Sequence, residues 1–157
     1  MKRTALFSLF ILLLTIILPA CKEDVYMDWK IQNEKALADT IKKYKNSANF
    51  YTTASGLSYR VIHQGYFPKK PNSGSYIYAT YTGKLIDGST FDSGTNAYLG
   101  QVATLVPGFQ EAVKKMNSDA NYIFYIPSTL GYDTVSTNSS IPAHSALIFD
   151  VTLTSVY

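Results

Sequence analysis

From Leu57 onward the apolar positions of the chain alternate. Leu57, Tyr59 and Val61 are separated by Ser58 and Arg60, the two-residue period of a strand that buries one face. Pro68 and the run Pro71-Asn72-Ser73-Gly74 interrupt the pattern, and Tyr76 to Leu85 resumes it, so two strands with a turn between them are predicted. Asp87-Gly88 is a tight-turn dipeptide, and Thr90-Phe91-Asp92 is expected to return as the partner strand of a hairpin, followed by a loop rich in Ser, Gly, Thr and Asn. Tyr122 to Ile126 alternates again, Pro127 to Pro142 reads as a long polar loop, and Leu147, Phe149, Val151 and Leu153 share one face of a last strand. Between these strands Phe109, Ala112, Val113 and Met116 fall at i, i+3, i+4 and i+7. This is a helix that Pro107 starts and Lys114-Lys115 ends. The plan is α+β: about five antiparallel strands closing on one short helix, because so small a sheet needs a cover on its apolar face.

The first third of the chain follows a different period. Trp29, Ala36, Leu37, Ile41 and Tyr44 recur helically, with Asp28 as the expected cap and Asp39 with Lys43 as an i,i+4 ion pair. The helix is expected to end before the turn-rich Asn46-Ser47-Ala48-Asn49. A spacer with one apolar stripe is the expectation. The alternatives are docking on the following domain and pairing with a second copy.

Composition narrows the class. Of 157 residues 16% are charged and 14% aromatic, which is too little charge and too much core material for a disordered chain. No apolar run reaches the roughly 18 residues of a membrane span. A single cysteine, Cys21, excludes an internal disulfide framework and, without other ligands, a structural zinc site. The formal charge of +3 includes Lys2 and Arg3, which belong to a removable leader, and no basic cluster of the kind that neutralises phosphates remains. Nucleic acid is not an expected partner.

Met1-Lys2-Arg3 followed by the mostly apolar stretch Ala5 to Leu18 has the charged and hydrophobic regions of a secretory signal. Leu18-Pro19-Ala20-Cys21 resembles the bacterial lipobox, which implies cleavage before Cys21 and a lipid on its thiol. Several acyl chains, each buried methylene contributing ~0.8 kcal/mol, would anchor the protein without any polypeptide entering the bilayer. Lys22 in place of Asp argues, by resemblance to lipoprotein sorting rules, against retention at the inner membrane. The expected organisation is a signal peptide at 1–20, an acylated terminus and helical linker at 21–53, and a folded domain at 54–157.

Four segments in that domain carry a resemblance. Tyr81-Thr82-Gly83-Lys84-Leu85-Ile86-Asp87-Gly88-Ser89-Thr90-Phe91-Asp92-Ser93 is followed by Val106-Pro107-Gly108-Phe109-Gln110-Glu111-Ala112-Val113. Ile126-Pro127-Ser128-Thr129-Leu130-Gly131-Tyr132 comes next, and then Ile141-Pro142 with Ala146 to Val151. In order and spacing these resemble the motifs of FKBP-type peptidyl-prolyl cis-trans isomerases, whose fold is a curved antiparallel sheet wrapped round one short helix. The resemblance implies a proline pocket walled by Tyr81, Phe91, Tyr132 and Phe149, with Phe109 as its floor and Ile141 at its rim. It further implies that Leu105 and Val106 offer backbone groups to the bound peptide, that Asp92 is the carboxylate beside the pocket, and that the Tyr132 hydroxyl bonds a peptide carbonyl. Asp92 is conspicuous on its own terms, since an acid directly after an aromatic on a strand is disfavoured unless something binds it.

The chain departs from the family pattern where Phe109 stands in place of the usual Trp, Asp133 in place of a Gly, and Ala143 in place of a second Pro. It presents no nucleophile with its base, no Gly-rich phosphate loop and no metal-ligand cluster, and no cofactor or metal is expected. His63 and His144 read as surface or strand-end residues. The expected activity is isomerisation of X-Pro bonds in cell-envelope polypeptides, on the outer membrane. The alternative is a non-catalytic binding module of the same fold for a peptide, a glycan or a partner protein, suggested by the altered loop and by tyrosines such as Tyr76, Tyr78, Tyr98, Tyr122 and Tyr125.

Overall fold

A computed structural model describes residues 23–136 and 140–157. The expected leader and Cys21, the expected point of lipidation, lie outside the described residues. Helix α1 spans Glu23–Tyr44, and strands follow at Phe50–Thr52 (β1), Ser58–His63 (β2), Tyr76–Lys84 (β3) and Thr90–Gln101 (β4). Helix α2 covers Pro107–Val113, then come β5 (Asn121–Ile126) and β6 (Leu147–Val156), with single 3-10 turns at Val102–Thr104 and Ser128–Leu130.

The strands form one antiparallel sheet in the order β1-β2-β5-β6-β3-β4. The sequence predicts about five; the sixth is β1, three residues hidden just after the turn-rich stretch, paired with β2 through Phe50 and Arg60. Helix α2 covers one face, and its predicted stripe Phe109, Ala112, Val113 and Met116 is buried. That stripe meets Leu57, Ile77, Phe124, Ile126, Leu147, Val151 and Leu153 in one core. A sheet bearing so many apolar side chains on one face requires that cover, since each fully buried Leu, Ile or Phe contributes ~1.5–3 kcal/mol.

Four expectations change. The polar run after Asp92 is not a loop: β4 continues to Gln101, and two register shifts with Asn96 at φ 45° absorb its irregularity. It is polar because it is an edge strand, where exposed and hydrophilic side chains are tolerated. Asp28 does not cap α1 but lies within it, since the helix spans Glu23–Tyr44. Asp39 pairs with Lys35 at 2.8 Å rather than with Lys43, whose ammonium lies 5.1 Å from the centre of the Tyr44 ring.

The fourth change concerns α1 itself, which docks on the sheet rather than standing off as a spacer. Trp29 packs against the core, and Tyr44 stacks with Phe50 and Tyr125 at 6.0 and 6.4 Å between ring centres. The Arg60 guanidinium lies 4.8 Å over the Tyr44 ring. Trp29 and Tyr44, two of the residues the helical period selected, touch the domain, and so does the polar Asn33, which that period did not select. No described helix is long and apolar enough to cross a membrane.

Candidate active site

A β-bulge places the first two site residues. Gly83 is opposite Asp92 and Lys84 is opposite Thr90, so Phe91 is an extra residue without a partner on β3. A bulge of this kind lets consecutive side chains lean to the same side. Phe91 and Asp92 both do: the Phe91 ring packs edge-on against Phe149 at 5.4 Å, and Asp92 Oδ2 accepts from the Tyr81 hydroxyl at 2.8 Å. Gly83 is what permits the approach, because a Cβ there would stand 2.6 Å from Phe91 and 2.8 Å from Phe149.

Phe149 is the hub. It lies opposite Gly83 on one side and Phe124 on the other, and its ring meets Phe109 at 5.1 Å, Phe91 at 5.4 Å and Tyr81 at 6.4 Å. Phe109, brought up by α2, is also edge-on to Phe124. Edge-to-face pairs add ~0.5–1.5 kcal/mol each to the burial of the rings, so this cluster holds a fixed shape.

Above it opens a cavity of about 240 Å³, lined by Tyr81, Asp92, Leu99, Thr104, Leu105, Val106, Phe109, Tyr132 and Phe149. Seven of the nine expected site residues therefore share one concave surface. The two others stand behind it. Phe91 buttresses Phe149 and Gly83 rather than lining the space, and Ile141 is only 5% exposed and belongs to the core. Leu99 and Thr104 were not foreseen. Leu99 follows Ala97-Tyr98 on the edge strand β4 and Thr104 lies in a 3-10 turn, so neither carries a signal that sets it apart in the sequence.

The wall has two polar features. Burial, the hydrogen bond to Asp92 and the Asp92 charge push the Tyr81 phenol up to about 12, so it is protonated at neutral pH and acts as a donor. Neither the Tyr132 hydroxyl nor the Val106 amide has a partner among the described residues. Both residues line the cavity. Asp133, which stands where a Gly was expected, keeps the left-handed backbone with φ 48°.

An aromatic-floored cavity between a short helix and a bulged antiparallel sheet defines the FKBP class of fold. The family model for FKBP-type peptidyl-prolyl cis-trans isomerases matches residues 68–154, a span that contains every residue lining the cavity. The chain belongs to this family. It is 35% identical over 133 residues to the "Probable FKBP-type peptidyl-prolyl cis-trans isomerase FkpA" of Neisseria meningitidis serogroup B, covering 82% of this chain and 48% of that one. It is 31% identical over 139 residues to the "Outer membrane protein MIP" of Legionella longbeachae, covering 86% and 59%. The crystal structure of FkpA from Escherichia coli superposes with a TM-score of 0.76 at 26% identity, over 85% of this chain and 63% of that one. The chain spans about half the length of the curated relatives it matches.

Proposed function

We propose that the protein catalyses cis-trans isomerisation of X-Pro bonds in polypeptides of the bacterial cell envelope. The observation that carries this is the convergence of Tyr81, Asp92, Leu105, Val106, Phe109, Tyr132 and Phe149 on one open cavity. Rotation of a peptide bond crosses ~18–20 kcal/mol because twisting sacrifices amide resonance. The planar amide is charge-separated and well solvated, and the twisted one less so. A pocket that strips water from the bond and seats the pyrrolidine against Phe109 and Phe149 therefore favours the twisted state over the planar one. In this reading the Tyr132 hydroxyl and the Val106 amide hold flanking carbonyls, while Phe91 stiffens Phe149 from behind. Asp92 keeps the Tyr81 phenol turned along the wall. Ile141 supports the loop that carries Tyr132. No bond is broken, so neither a nucleophile nor a cofactor is called for.

Anchoring is the second part of the proposal. Cys21 in the lipobox-like Leu18-Pro19-Ala20-Cys21 would carry the lipid, and Lys22 after it favours the outer membrane. Similarity to a protein named for the outer membrane supports this placement. The test of activity is two-dimensional NMR exchange on an Ala-Pro-Phe peptide: cross-peaks between cis and trans resonances appear on adding the protein in substoichiometric amounts. Their absence with folded protein would leave the non-catalytic binding module. The test of anchoring is fractionation: wild type sediments with membranes and Cys21→Ser is released.

A further inference from the structure

Helix α1 lies outside the segment matched by the family model, yet it makes buried polar contacts with the loop that ends at the proline pocket. Asn33 is 1% exposed, and both ends of its carboxamide are used. Its Nδ2 donates to the Trp29 carbonyl at 2.8 Å, and its Oδ1 accepts from the Ala146 amide at 2.8 Å. Ala146 sits one residue before β6, outside the sheet ladder, so without Asn33 its buried amide would have no partner. One turn earlier on the same face, Trp29 Nε1 donates to Ser145 Oγ at 3.0 Å, and that hydroxyl donates onward to the Pro142 carbonyl at 2.7 Å. The two side chains hold Pro142 to Ala146 from the helix side.

That segment in turn grips the pocket. The His144 amide donates to the Asp133 carbonyl, and the Asp133 amide donates to the Ser128 carbonyl at 2.9 Å. His144 and Asp133 have φ of 62° and 48°, a conformation that non-glycine residues hold only where their surroundings impose it. Tyr132, which lines the cavity, is bonded directly to Asp133. A continuous run of hydrogen bonds and covalent links thus leads from α1 to one wall of the pocket.

We propose that Trp29 and Asn33 are positioning residues for isomerisation, setting the Tyr132 wall through Ser145, Ala146, His144 and Asp133. The inference rests on the isomerase reading above. Neither residue touches substrate; their effect is to keep the Tyr132 hydroxyl where a peptide carbonyl can meet it.

The experiment uses the chain with α1 intact and compares wild type, Asn33→Ala, Trp29→Phe, Tyr132→Ala and the double variant Asn33→Ala with Tyr132→Ala. Asn33→Ala is expected to raise KM for an X-Pro peptide between about 2-fold and 30-fold with kcat little changed, the span that couplings of this kind produce. A merely structural role would instead lower kcat with the folded fraction and leave KM alone, which would overturn the proposal. In the Tyr132→Ala background Asn33→Ala is expected to have no further effect; full additivity would also overturn it. Trp29→Phe keeps an aromatic side chain on the core while removing the Nε1 donor, so it preserves the test if Asn33→Ala fails to fold. Lys35→Ala, exposed on α1, is expected to leave both constants unchanged. Amide exchange separates failure of this inference from failure of the isomerase reading. Asn33→Ala, or Trp29→Phe in its place, should speed exchange at Asp133 and His144 about 10-fold or more while Phe124 and Val151 stay protected, whether or not the protein is active. Unchanged exchange at Asp133 and His144 would refute the link itself.

Discussion

Tyr81 and Asp92 meet diagonally across the edge of the sheet, hydroxyl to carboxylate at 2.8 Å, because Asp92 is in register with Gly83 and finds no side chain opposite it. The phenol turns toward the gap, and one wall of the cavity is fixed by a charge-assisted hydrogen bond on an exposed edge. Removing the acceptor frees the phenol and leaves the wall mobile. Asp92→Leu is therefore expected to lower kcat/KM about 10-fold and Tyr81→Phe only a few-fold, since a lost hydrogen bond to a charged group is worth ~1.5–3 kcal/mol when the partner remains buried and less when it is wet. Tyr132→Phe should fall between wild type and Asp92→Leu. Equal kinetics in all three would place the substrate elsewhere.

The same contact has a pH signature. Tyr81 has a folded value of about 12 against 10.0 for a free phenol, so the folded state binds this proton more tightly than the unfolded chain does. Its contribution to stability is complete below pH 10 and is lost as pH rises from about 10 to about 12. Tyr59, Tyr122 and Tyr125 are raised as well, chiefly by burial. Urea denaturation between pH 8 and 12 should show stability falling at the alkaline end, with a shallower fall in Tyr81→Phe. An identical slope in the variant would mean that the phenol is not held in this way.

Gly83 is predicted to be intolerant of any side chain. A methyl there would press on the rings of Phe91 and Phe149, and overpacking of this sort costs ~1–3 kcal/mol. Gly83→Ala should lower the denaturation midpoint and, by pushing Phe149 into the cavity, raise KM. Gly88→Ala is a useful contrast: nothing lies within 4 Å of its added methyl, so only its φ of 88° is strained, and KM should be unaffected.

Phe149 joins the rings of Phe109, Phe91 and Tyr81. Phe149→Ala is expected to cost ~3–5 kcal/mol, the range for deleting a buried phenyl, and to abolish measurable turnover even at temperatures where the variant is folded. Circular dichroism melts paired with kinetics would separate the two effects.

Much of the domain was legible in the chain because its signals are local. Period-two alternation marked β2, β3, β5 and β6, and a clean i, i+3, i+4, i+7 stripe marked α2. The pocket was legible because its residues fall within compact motifs, and Asp92 betrayed itself as an acid beside an aromatic on a strand. The extent of β4 was not legible, since an edge strand broken by bulges has no apolar alternation to read. Neither was β1, three residues that are a strand only because β2 lies beside them. The docking of α1 was hidden for a related reason. Its decisive residue, Asn33, is polar and belongs to no apolar stripe, and its partner Ala146 is 113 positions away.

The most direct measurement is a protease-coupled assay with an Ala-Leu-Pro-Phe peptide on the chain from Lys22 onward, keeping α1. The account predicts a cis-to-trans rate that rises in proportion to protein concentration and drops sharply in Asp92→Leu. A rate equal to the uncatalysed one at micromolar protein, with the sheet intact by circular dichroism, would contradict it.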